Sequence, residues 1–429
     1  MGLVTHVFEE DQLAGLHGTI AIGHTRYSTT GSTSLRNAQP FLARGDLGEI
    51  ALAHNGNVVN AEPIFDELVE EGFRLNSSTD SEVIVAAIAR APGTTWAEKI
   101  TTTLRRFKGA YSLALLTTDS LIAARDPLGI RPLCLGQLNG HWLVASETCA
   151  LDHLGAKFVR DVDPGEVVII NKDGLTSHRI SEEPAPPRAF CIFEFIYFAR
   201  PDSVMNDRLL YRARERMGER LWDEHPVDAD VVIGVPDSSI PAAIGFAHAS
   251  GIHYSEGLIK NRYVGRTFIQ PDQRIRELGV RLKFNPMPGV LDGKRVVVVD
   301  DSIVRGTTTP RVVALLRKAG ATEVHLRISS PPIKNPCHFG VDMATKSELI
   351  ASQRTVAEIR DYVGADTLGY LSLEGLYAAV GSEDQSGFCT ACLSGNYPVP
   401  IQLEMDKLVL ETAAGRAALQ AAISGDRVR

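Results

Sequence analysis

Residues 296–308 read Val-Val-Val-Val-Asp-Asp-Ser-Ile-Val-Arg-Gly-Thr-Thr. The adjacent acids Asp300 and Asp301 leave a β-branched run and enter a loop that carries Ser302, Arg305, Gly306, Thr307 and Thr308. Paired carboxylates suit ribose hydroxyls or a magnesium ion, and amides at a helix start with hydroxyls beside them favour a phosphate. That combination would grip a sugar phosphate. Upstream, Asp237, Ser238 and Ser239 follow the apolar run of residues 230–236. Between the two lies a cationic stretch: Lys260, Arg262, Tyr263 and Arg266, then Arg274, Arg276, Arg281 and Lys283. So many like charges repel unless an anion joins them, so this stretch reads as a lid over an anionic group.

Four of the six cysteines, Cys191, Cys337, Cys389 and Cys392, fall in the second half, the last two as a Cys-x-x-Cys pair. Four thiolates suit zinc or an iron–sulfur cluster equally on chemistry. Cys134 and Cys149 read as small apolar fillers.

The elements that must position these groups fall into two rhythms. Residues 1–180 alternate short strands with helices. Strands are expected at 20–27, 49–54, 111–117, 121–125, 133–136 and 142–146, with a hairpin at 171–174 and a turn at Asn55-Gly56. Helices are expected at 61–71, 81–90 and 96–107. This is a layered α+β pattern with antiparallel sheets. Residues 184–187, Pro-Ala-Pro-Pro, read as the linker. Beyond it strands at 230–236, 252–259, 296–299 and 324–329 alternate with helices, which indicates a doubly wound parallel sheet. Thr307, Thr308 and Thr309 are placed to cap the helix after the acid pair, Pro310 suits its first turn and Gly320 its stop. Further helices are expected across 348–376 and 411–424. The domain limits are 1–183, 184–400 and a tail, 401–429.

Composition excludes other classes. With 429 residues, 44% hydrophobic and 22% charged, the chain suits two or three globular domains. A formal charge of −8 argues against general nucleic-acid binding. No apolar run reaches the ~18 residues of a membrane span and no secretory signal is legible, so no membrane partner and a cytoplasmic location are expected.

The segment at 296–308 resembles the signature of type I phosphoribosyltransferases that bind phosphoribosylpyrophosphate (PRPP). Together with Cys191-Ile-Phe-Glu-Phe-Ile-Tyr-Phe-Ala-Arg-Pro-Asp, Gly234-Val-Pro-Asp-Ser-Ser and residues 260–268, it resembles the glutamine PRPP amidotransferase (amidophosphoribosyltransferase) family along nearly the whole chain. The resemblance implies an N-terminal-nucleophile (class II) glutaminase domain followed by an α/β type I phosphoribosyltransferase domain. The implied reaction makes 5-phosphoribosylamine from PRPP and glutamine, the first step of purine synthesis. It also implies that Asp300 and Asp301 hold the ribose hydroxyls and that 305–309 cradle the 5′-phosphate. Asp237, Ser238 and Ser239 would form the pyrophosphate loop, with magnesium near Ser238, Asp300 and Asp301. The subtype resembled carries a [4Fe–4S] cluster on Cys191, Cys337, Cys389 and Cys392. In the first half, Arg26 matches the residue that binds the glutamine carboxylate, Asn55 and Gly56 the oxyanion hole, and Asp80 the acid that binds the glutamine amino group. A homotetramer and inhibition by purine nucleotides are further implications.

The family's nucleophile, an N-terminal cysteine, has no counterpart here, since Met1 is followed by Gly2. Either the start codon is assigned too far downstream or the domain is truncated. The chain as printed is expected to use free ammonia only. Two rival readings are a phosphoribosyltransferase acting on a nucleobase and a nonenzymatic PRPP or nucleotide sensor on the same fold.

Overall fold

The computed structural model describes residues 4–26, 34–180, 186–261, 283–343, 345–382 and 384–401. The chain divides into two compact units, one of Met1–Phe190, Cys337–Asp342 and Tyr397–Arg429, the other of Cys191–Pro336 and Met343–Asn396.

The first unit is built on β1 (Phe41–Gly45) and β2 (Gly48–Val58), α1 (Ala61–Glu70), α2 (Asp80–Arg90) and α3 (Trp96–Leu104). Then come β3 (Gly109–Leu116), β4 (Leu121–Arg125), β5 (Cys134–Leu138), β6 (His141–Ala145), α4 (Thr148–Leu154), β7 (Lys157–Asp161), β8 (Glu166–Asn171) and β9 (Gly174–Arg179). They form a six-stranded sheet in the order β1-β2-β3-β4-β8-β9 and a three-stranded sheet β6-β5-β7, with antiparallel pairings. Side chains from one face of the larger sheet, such as Leu52, Leu113 and Ile122, bury against Ile64, Phe65, Ile84, Ile88 and Ile100 of the helices. A helix buried on nearly every face, α2 runs through the middle of this core, and Thr79 caps it by accepting from the Glu82 amide. On α3, Thr95 and Glu98 form a reciprocal capping box.

Two local expectations fail here. Residues 20–26 keep the alternating exposure of a strand, but no described neighbour gives them a ladder. Asn55-Gly56 is not a turn: both lie inside β2, opposite Ser112 and Tyr111 of β3. A Cβ at Gly56 would collide with the Ala110 carbonyl and come within 2.8 Å of His54 Nε2. The glycine marks a close approach of backbone rather than a reversal.

The second unit contains α5 (Leu210–Glu224), β10 (Val231–Gly234), α6 (Ile240–Ser250), β11 (Leu258–Lys260), β12 (Phe284–Pro286), β13 (Arg295–Asp300), α7 (Thr309–Lys318), β14 (Glu323–Ile328), α8 (Val356–Val363), β15 (Thr367–Tyr370) and α9 (Leu373–Val380). Strands β10, β13, β14 and β15 form a parallel sheet in that order. Val296–Val299 are fully buried, as a parallel strand covered on both faces requires. The expected strand at 252–259 is shorter and differently paired. Tyr254 makes one parallel bridge to Val232, while β11 turns away to pair antiparallel with β12. Strand β15 was hidden in a stretch that reads as helical. The tail expected as a helix at 411–424, and Arg262, Tyr263, Arg266, Arg274, Arg276 and Arg281 of the expected lid, lie outside the described residues.

Candidate active sites

In the second unit two loops meet at the carboxyl ends of β10 and β13, where open α/β sheets bind ligands. After β10, Val235 and a cis Pro236–Asp237 peptide lead into Ser238 and Ser239 at the start of α6. Asp300 ends β13, and Asp301 and Ser302 follow it. The loops are stitched by hydroxyls: Ser238 Oγ donates to Asp301 Oδ2 at 2.5 Å, and Ser239 Oγ to Asp300 Oδ1 at 3.1 Å. Ser302 Oγ donates to Asp301 Oδ1 at 2.6 Å. Burial raises both carboxyls above the usual carboxylate range, and Asp300 is raised further by the charge of Asp301 beside it.

Cations face this acid pair. Lys260 Nζ lies 2.6 Å from Asp237 Oδ2. Residue Lys283, brought opposite by the β11–β12 ribbon, has its ammonium lowered by burial and by Lys260, and feels Asp300, Asp301 and Asp237. The loop then runs through Gly306, whose φ is +69°, into α7. Thr308 is the helix's N-cap position, but its side chain makes no capping bond, contrary to the capping role expected of the threonines. No described backbone carbonyl accepts from the amides of Gly306, Thr307 or Thr308. Those amides at a helix start are what an anion would engage. The helix stops at Lys318, with Ala319 as its C-cap one residue before Gly320. Arg305 pairs with Glu348 at 3.3 Å.

In the first unit Asp80 opens α2, where the helix dipole favours an acid, and is almost fully buried. Its Oδ2 accepts from the Val58 amide at 3.0 Å and lies 3.6 Å from His54 Nδ1. The guanidinium of Arg26 has its pKa lowered by burial and partly restored by Asp80. Nearby His24 is pushed down to about 4 by burial, then by His54 and Arg26, so its ring is neutral near pH 7. Asn55 sits on β2, its Oδ1 3.3 Å from Arg131 Nε and its Nδ2 3.4 Å from Ser146 Oγ. Arg26 and Asp80 therefore lie near enough to feel each other's charge, while Asn55 and Gly56 continue β2 from His54. Sequence reasoning missed His54 and Arg131. His54 was read only as the end of a strand, and Arg131 lies in the non-periodic loop Asp126-Pro-Leu-Gly-Ile-Arg-Pro.

The second unit also holds Cys191, Cys389 and Cys392. The Ile192 amide donates to the Cys389 carbonyl at 3.2 Å, and the Lys334 and Asn335 amides to the Cys392 carbonyl at 3.1 and 3.0 Å. Cys337 belongs to the first unit, and burial pushes its thiol up. Among the described residues no group of three or more His, Cys, Asp or Glu side chains is set to hold a metal ion.

A glutamine amidotransferase domain model matches residues 24–153 and a phosphoribosyl transferase domain model residues 206–330. An amidophosphoribosyltransferase of Synechocystis sp. is 54% identical over 96% of this chain and 84% of its own length. The chain belongs to the amidophosphoribosyltransferase family. The amidophosphoribosyltransferase of Methanocaldococcus jannaschii is 51% identical over 94% of this chain and 88% of its own. The solved glutamine PRPP amidotransferase of Bacillus subtilis, complexed with ADP and GMP, superposes with a TM-score of 0.88 at 49% identity, covering 95% of this chain and 89% of that one. The fold expected of the family, a glutamine amidotransferase domain followed by a phosphoribosyltransferase domain with a parallel sheet, is the fold observed.

Proposed function

We propose that this member of the family forms 5-phosphoribosylamine from PRPP at the loops after β10 and β13, as an early step of purine synthesis. The observation that carries the assignment is the pair of serine-to-aspartate bonds joining the Asp237–Ser239 and Asp300–Ser302 loops, with Lys260 and Lys283 alongside. Asp300 and Asp301 accept the ribose hydroxyls. The amides of Gly306, Thr307 and Thr308, with Arg305 beside them, receive the 5′-phosphate. Asp237, Ser238, Ser239 and Lys260 line the pyrophosphate, and Arg262, Tyr263 and Arg266, outside the described residues, carry the binding role expected of the lid. The C1–O bond to pyrophosphate breaks as ammonia bonds to C1, the released proton passes to solvent, and the cations take up the charge that develops on the leaving group.

The donor set suits magnesium, which takes one or two carboxylates and completes its shell with substrate phosphates. Ser238, Asp300 and Asp301 would hold it, and it would neutralise the leaving pyrophosphate. Pyrophosphate release measured with ammonia, with hypoxanthine and with no acceptor tests the assignment. Release with ammonia alone supports it, release with hypoxanthine favours a nucleobase transferase, and no release with either favours a sensor.

In the first unit Arg26, Asn55, Gly56 and Asp80 form the glutamine site, Arg26 taking the carboxylate and Asp80 the amino group. Cys191, Cys337, Cys389 and Cys392 would hold a [4Fe–4S] cluster, which would supply a structural tie. Support comes from the backbone bonds that draw the Cys191, Cys389 and Cys392 segments and residues 334–335 together. Iron and sulfide analysis of anaerobically purified protein tests this, with four of each per chain expected from the cluster type. A Cys389→Ser, Cys392→Ser double variant that retains full iron would contradict it. Purine nucleotides inhibit, and the assembly is a homotetramer, which light scattering would check. No described helix is long and apolar enough to cross a membrane, and a cytoplasmic location is part of this reading.

A further inference from the structure

Six residues of the first unit come from far downstream in the chain, Cys337–Asp342. They pack onto β2 beside Asn55. The Asn57 Nδ2 donates to the His338 carbonyl at 2.9 Å. Gly340, at φ +106°, lies so near Gly56 that a Cβ on it would stand 3.0 Å from Gly56 Cα, 3.1 Å from its carbonyl carbon and 3.2 Å from its oxygen. On its other side Gly56 has no room for a side chain against the Ala110 carbonyl and His54. The downstream turn is itself anchored, since His338 and Phe339 pack on Tyr397 with ring centroids 5.3 and 6.2 Å away. Gly56 is thus gripped between β3 and this turn, and Asn57 is tied to the turn by a hydrogen bond.

We propose that the turn His338-Phe339-Gly340 is a positioning element of the glutamine site: it fixes Gly56 and Asn57, and through them the donors that face the glutamine carboxamide oxygen. The inference rests on the reading of Arg26, Asn55, Gly56 and Asp80 as that site. A small change in the turn would shift Gly56, because backbone on both sides leaves no slack.

Gly340→Ala and Asn57→Ala test it, with glutamine affinity by calorimetry, PRPP affinity with magnesium, and melting temperature as readouts. Asp80→Asn serves as the control for the site itself. Each of the first two variants is expected to weaken glutamine about 5-fold, the scale of one strained or lost hydrogen bond, with PRPP affinity unchanged and the melting temperature lowered by no more than one strained residue or one lost bond accounts for. Parent-like glutamine binding in Asp80→Asn overturns the site. Loss of glutamine in Asp80→Asn with parent-like binding in both turn variants overturns the positioning role alone. Should Gly340→Ala fail to fold, Asn57→Ala decides, because it removes the side-chain bond to the His338 carbonyl and adds no atoms. A uniform loss of glutamine affinity, PRPP affinity and stability would make the turn merely structural and also overturn the proposal.

Discussion

Burial holds Asp300 and Asp301 above the ordinary carboxylate range, and for Asp300 the neighbouring charge adds to it. A carboxyl whose folded pKa exceeds its unfolded one makes the folded state take up protons. Its contribution to stability is full below about pH 4, the unfolded value, and is lost as pH rises through the folded value. Asp300→Asn should therefore melt higher than the parent at pH 8, with the advantage shrinking as pH falls toward about 4. The same substitution should lower ammonia-dependent turnover by about 100-fold, since it removes a carboxyl oxygen that accepts from the reacting sugar. A thermal gain with turnover intact would contradict the role given to Asp300. The pair was legible in sequence because two acids after four valines, with Gly-Thr-Thr following in register, form a far more specific pattern than a lone glycine-rich turn. What lay out of reach was the way Ser238 and Ser239, more than 60 positions upstream, bond to them.

At the scale of elements, glycines decide several joints. Gly306 has φ +69°, and a Cβ there would lie 2.5 Å from Ile350 Cδ1. Gly306→Ala should cost about 1–3 kcal/mol in denaturant unfolding and weaken PRPP binding with it, since the strain falls on the phosphate-facing amides. An unfolding midpoint equal to the parent's would contradict the geometry. Helices α5 and α6 pack with Gly218 against the Ala242 carbonyl and Gly245 against that of Glu215, with no room for a methyl group at either. Gly245→Ala should separate the pair and cost about 3 kcal/mol or more by the same measurement. By contrast Thr355→Ala, which breaks only the capping box of α8, should cost about 1 kcal/mol. Periodicity made α1, α2 and α3 and several antiparallel strands of the first unit readable to within a few residues, but it left β1, β7 and the short helix α4 unforeseen. It failed at residues 20–26, whose alternation survives without a described strand partner, and at Asn55-Gly56. There a turn-forming pair sits inside a strand because the neighbouring backbone excludes a side chain.

For the whole molecule, the change of rhythm near the Pro-rich stretch at 184–187 separated an antiparallel α+β half from a parallel α/β half, and both layers are present in the fold. The return of Cys337–Asp342 to the first unit carries no sequence signal, because six residues between proline-rich and helical segments have no period of their own. Nor did sequence show that His54 and Arg131 flank the expected glutamine groups, since each reads as an ordinary strand or loop residue.

The central claim is that the acid pair and the two loops around it bind PRPP and pass its ribosyl carbon to ammonia. The most direct measurement is pyrophosphate release from PRPP and magnesium with ammonia as acceptor, run beside Asp300→Asn and Asp301→Asn. The account predicts ammonia-dependent release in the parent protein and a loss of about 100-fold in either variant. Release that persists undiminished in both variants, or a folded parent that releases no pyrophosphate with ammonia, would contradict it.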